Sequence, residues 1–128
     1  MAMPTESLAK LLTINAAYTA VCGIISLGGS SALAGPFGLS EQLPLQAVGG
    51  FLIVVAAAMG AAAKLVSRSL VPALLLTVGD AGYVAASVGA VVLAPLSGTG
   101  KAVTLAVAAI VVVFVVLQGR ALAAARSR

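Results

Sequence analysis

An all-α fold, a bundle of four membrane-spanning helices, is what the sequence predicts, and three observations predict it. Of 128 residues 62% are apolar and only 8% charged, with a mean hydropathy of +1.21. A water-soluble domain of this size could not cover its core with so few charges. Four apolar runs, at about 8–29, 44–66, 70–94 and 101–119, are each long enough to cross a hydrocarbon layer about 30 Å thick. Finally, six of the seven basic residues (Lys10, Lys64, Arg68, Arg120, Arg126 and Arg128) flank one side of a four-span layout, and only Lys101 lies on the other. By the positive-inside rule both termini and the turn between spans two and three are expected in the cytoplasm. The chain reads as one multi-pass domain over 1–128, in the cell's inner (cytoplasmic) membrane.

Residues 1–7 make a polar start, with Thr5 or Ser7 available as a helix cap and Glu6 in the first turn. In span one Asn15, Thr19, Cys22 and Ser26 follow helical spacing and form one polar stripe opposite Ala17, Ala20, Val21 and Ile24. Lys10, the apolar run and Ala32-Leu33-Ala34 also have the parts of a secretory signal peptide. Asn15 interrupts that run, and a polar stripe has a purpose only in a helix that stays to pack. The connection 30–45 is broken by Gly35-Pro36 and Gly38, with Ser40 a cap for span two and Pro44 tolerated in its first turn. Span two, AVGGFLIVVAAAMGAAA at its centre, is dominated by small residues that allow close helix approach.

Span three holds one charged residue, Asp80, about 16 Å into the membrane when counted from Ser69. An acid there costs on the order of 3 kcal/mol on insertion scales, so it is expected to face other helices or a wet cavity. Thr77, Asp80, Tyr83 and Ser87 share one arc; Gly79, Gly82, Ala86 and Ala90 form a second, suited to close backbone approach. Leu74, Val78, Ala81, Ala85, Val88 and Val92 make a lipid face. Thr99 is the expected cap of span four, whose run AIVVVFVVL would suggest a strand in water. In lipid an unpaired strand leaves its backbone groups unsatisfied, so a helix is expected. Gln118 and the tail arginines are read as interfacial anchors, with the tail RALAAARSR able to extend the helix along or beyond the interface.

Spans one and three enter from the same side, so depths compare directly. Asn15, Thr19 and Cys22 lie about 8, 14 and 18 Å in, which brings the last two level with Asp80. The two polar stripes are therefore expected to face each other. The candidate intramembrane site is Asp80, Asn15, Thr19, Tyr18, Tyr83 and Thr77, with Asp80 a protonatable contact. No Lys or Arg is available at that depth, and the low-cost form of the acid there is the neutral one.

Other chemistry is thinly provided. The chain has no His and one Cys, so neither a Cys/His metal site nor an internal disulfide is available. Gly28-Gly29 and Gly49-Gly50 lack the Lys and the strand–turn–helix setting of a phosphate loop. No carboxylate pair is present, a serine nucleophile would have no base except Asp80 itself, and nothing suggests nucleic acid. The expectation is a non-enzymatic protein without cofactor or metal, whose partners are the bilayer and either copies of itself or a larger membrane complex. An accessory or scaffold subunit packing through Gly/Ala faces is the first reading. A carrier or binding protein for a small lipophilic or cationic solute, touching Asp80, is the alternative.

Asn15-Ala16 in span one, Asp80 with Tyr83 three residues on, and Gly100-Lys101 at the entry to span four are short motifs spread over the whole layout. In these the chain resembles a group of small bacterial four-span integral membrane proteins with no assigned activity. The resemblance implies the four-span fold and no reaction, substrate or partner. It departs from the small multidrug transporters, which carry their essential acid in span one and rely on a Trp, whereas this chain has Asn15 there and no Trp. The Gly, Asn and Phe pattern of fluoride channels is not found either.

Overall fold

The computed structural model describes residues 4–126. Its elements are α1 (Pro4–Gly28), α2 (Ser30–Leu33), α3 (Leu43–Leu65), α4 (Val71–Leu93) and α5 (Gly98–Arg126), with no strand among the described residues. The four long helices are each apolar and long enough to cross a membrane. Arg128, counted above with the basic residues, lies outside the described residues.

Helix ends differ from expectation where backbone donors find other partners. Thr5 and Ser7 lie inside α1, which already includes Pro4. Neither Ser40 nor any other side chain caps α3; Gln42 precedes it, and Pro44 in the first turn leaves one fewer N–H to satisfy. Ser97, not Thr99, caps α5: its Oγ accepts from the Gly100 N–H at 3.0 Å. The fourth helix does run on through the tail beyond the span's expected end near 119, continuing to Arg126, because Ala-rich RALAAAR is itself a strong helix former.

The long helices form a ring of four neighbours, α1 against α3, α3 against α4, α4 against α5 and α5 against α1. The α1–α3 seam is the most extensive and the α3–α4 seam the slightest. Small residues explain the first. A Cβ on Gly49 would lie 2.5 Å from the Leu27 backbone nitrogen and 2.7 Å from the Gly23 carbonyl oxygen, so only glycine permits this approach. The expected second close approach does not occur within the chain. Gly79, Gly82 and Ala86 of α4 are exposed, and a Cβ on either glycine would meet nothing within 4 Å. The lipid face of α4 is as expected, with Leu74, Val78, Val88 and Val92 all exposed.

At the end of the bundle holding both termini, Leu8 and Leu12 pack with Ala62, Val66, Ala73 and Leu122 in a sealed apolar cluster drawn from α1, α3, α4 and α5 and the residue following α3. At the other end the two loops are tied together. The Ser97 N–H donates to the Phe37 carbonyl at 2.8 Å, and the Ser97 hydroxyl donates to that of Pro36. Gly38, at φ +78°, is in the left-handed region and passes against Ser97, where a side chain would collide.

Candidate functional site

Between the apolar cluster and the far half of the bundle lies a layer of buried polar side chains. Asn15 of α1 is its hub and is 0% exposed. One Nδ2 hydrogen goes to Asp80 Oδ2 of α4 at 2.8 Å and the other to Gln118 Oε1 of α5 at 2.7 Å. Thr19, one turn on, donates its hydroxyl to Asn15 Oδ1 at 3.1 Å. Gln118 Nε2 donates to the Thr77 hydroxyl at 2.9 Å, and Thr77 passes its own hydrogen back to the Ala73 carbonyl at 2.8 Å. Both amide hydrogens of Asn15 are thus committed.

The expected facing of spans one and three holds, by a route the depth count did not foresee. α1 and α4 are not ring neighbours but occupy one diagonal of the bundle. Asn15 and Asp80 meet across the centre because both side chains reach inward, and α5 supplies the third member. Gln118 is therefore misread as an interfacial anchor: it is 0% exposed and central. Its signal was present in the periodicity, since Gln118 falls in register with Val111 seven residues before and Leu122 four after, both buried. Ending the span near 119 placed it at the membrane surface.

The remaining expected residues divide. Thr19 and Thr77 belong to the layer, although Thr77 serves Gln118 and not Asp80. Tyr18 turns its hydroxyl to the Val107 carbonyl of α5 at 3.2 Å, with its ring 5.7 Å from that of Phe114. Tyr83 has no hydrogen bond to Asp80; its ring instead walls the space beside the acid.

That space is a cavity of about 90 Å³ beside the polar layer. All four long helices line it: Tyr18, Thr19 and Cys22 from α1, Phe51 and Val55 from α3, Gly79, Asp80 and Tyr83 from α4, and Val107 and Val111 from α5. It opens along the slight α3–α4 seam, where the lining residues Phe51 and Leu75 are 61% and 65% exposed. Asp80 is only 8% exposed. Its Oδ2 is held by Asn15, while Oδ1 has no hydrogen-bond partner among the described residues. Asp80 is one of the residues that line the cavity, so its carboxyl group borders that space.

The arrangement puts one carboxyl group in the wall of a mostly apolar chamber. As the acid it offers a hydrogen-bond donor; on passing its proton to a basic nitrogen it offers a carboxylate. Among the described residues no three His, Cys, Asp or Glu side chains come together as metal ligands. No family model, curated protein or solved structure matches the chain.

Proposed function

We propose that this is a non-enzymatic integral membrane protein that binds a small lipophilic solute bearing one basic or hydrogen-bond-accepting atom, in the cavity beside Asp80. The observation supporting this reading is a buried acid, bonded through Oδ2 to Asn15, in the wall of a chamber whose rim residues Phe51 and Leu75 are exposed on the apolar outer surface. An acid retained only to tie helices together would gain about 0.6 kcal/mol per interhelical bond, well below its insertion cost. A chamber of about 90 Å³ holds a small ring or the head of a longer molecule, with the remainder extending through the α3–α4 seam.

Benzylamine and toluene, equal in shape but differing in the amine, are suitable probes for the protein in detergent by ligand-observed NMR. The wild type is expected to bind benzylamine at least tenfold more tightly than toluene. Asp80→Asn keeps an oxygen for Asn15 but has no proton to transfer, and is expected to lose that preference. Equal binding of both probes by wild type and variant would remove the proposal.

A second reading, an accessory or scaffold subunit, is favoured by a separate observation. The Gly79, Gly82 and Ala86 arc of α4 is a close-approach surface with no helix of this chain against it. A second copy, or a larger membrane complex, would cover it.

A further inference from the structure

Toward the bundle end that holds Lys10 and Lys64, α1 and α3 leave a groove between them on the outer surface, lined by none of the residues around the cavity beside Asp80. Lys10 of α1 and Lys64 of α3 stand at this groove, and both are exposed. Its floor is made of small residues, Gly60 and Ala63 among them, and a Cβ built on Gly60 would meet nothing within 4 Å. Ile14, 51% exposed, forms an apolar wall leading toward the membrane interior. No ion pair holds either lysine among the described residues. Arg68, Arg120 and Arg126 follow at the same end, against the single acid Glu6.

We infer that this groove binds an anionic phospholipid, its phosphate between Lys10 and Lys64 and one acyl chain along Gly60, Ala63 and Ile14. Two features point to a lipid and away from a soluble phosphate. Lysine stems lie along apolar surface while their ammonium groups reach the headgroup level, where lipid phosphates sit. The groove continues from those charges into an open apolar channel over Gly60, which an acyl chain fills and an inorganic ion does not. Near a membrane surface each lysine contributes about 1 kcal/mol toward an anionic lipid, or about fivefold in affinity.

Native mass spectrometry of the protein titrated with phosphatidylglycerol or phosphatidylcholine in mixed micelles tests this. The wild type is expected to retain phosphatidylglycerol preferentially, and millimolar inorganic phosphate should not displace it. Lys10→Gln with Lys64→Gln is expected to weaken retention about 20-fold, whereas Lys101→Gln at the opposite end leaves it unchanged. Gly60→Leu keeps every charge and has room for its side chain, yet fills the channel and should weaken phosphatidylglycerol to a similar degree. Equal retention of the two lipids, displacement by inorganic phosphate, or full retention by Gly60→Leu would each overturn the inference.

Discussion

At the scale of single residues the molecule turns on Asn15. Its side chain satisfies Asp80, Gln118 and Thr19 at once, so its removal strips Asp80 Oδ2 and Gln118 Oε1 of their partners and leaves the Thr19 hydroxyl only the Met59 sulfur, at 3.9 Å. Each such group costs roughly 1–3 kcal/mol when abandoned, more than the bond itself contributes. Asn15→Leu is therefore expected to destabilise the bundle by about 2–4 kcal/mol, as read by reversible unfolding in mixed micelles. Gln118→Leu should cost less, about 1–2 kcal/mol, because Thr77 keeps its bond to the Ala73 carbonyl. Replacing Asn15, Asp80 and Gln118 together by Leu removes all the strongest polar claims on the layer and should recover most of the loss. A triple variant weaker than Asn15→Leu alone would show that the layer acts by something other than mutual satisfaction.

At the scale of the helices two glycine faces have opposite fates. Gly49 is pressed against Gly23 and Leu27, whereas Gly82 has open space around it. Gly49→Ala is expected to cost about 1–3 kcal/mol, the usual range for overpacking, because the nearest atoms are backbone and cannot turn aside. Gly82→Ile should leave the isolated chain's stability within about 0.5 kcal/mol, while reducing the size of any complex seen by light scattering if α4 docks a second copy. Unchanged size alongside unchanged stability would remove the scaffold reading. Much of this was legible in the sequence, since small residues on span two and span three announced close approach. Which of the two faces is used inside the chain was not, because composition does not say which helices become neighbours.

For the whole molecule, charge and packing divide the bundle into two unlike ends. One carries Lys10, Lys64, Arg68, Arg120 and Arg126 over a sealed apolar cluster; the other carries Lys101 beside the loops joined at Ser97. In a Cys22→Ser background, a cysteine at Ser67 is expected to react only with reagents admitted to the cytoplasmic side, and one at Ser40 only with those outside. The reverse labelling would invert the proposed orientation and place the lysine groove at the outer leaflet.

Taken alone, the sequence determined the solvent, the number of spans and the inward direction of Asp80, because each follows from the cost of placing polar atoms in hydrocarbon. Hydropathy and helical spacing suffice for those; the depth count, by contrast, set Thr19 and Cys22 level with the acid, whereas Asn15, counted about 8 Å shallower, is the residue bonded to it. Tertiary structure alone decided that spans one and three oppose each other across a diagonal, that Gln118 completes the layer, and that Tyr18 spends its hydroxyl on Val107. Those choices depend on the order of helices around the ring and on where α5 ends, and neither is written in the period of any one span. The cavity is likewise a property of four helices together: the α1–α3 seam closes tightly at Gly49 while the α3–α4 seam does not, and the space beside Asp80 is what that inequality leaves.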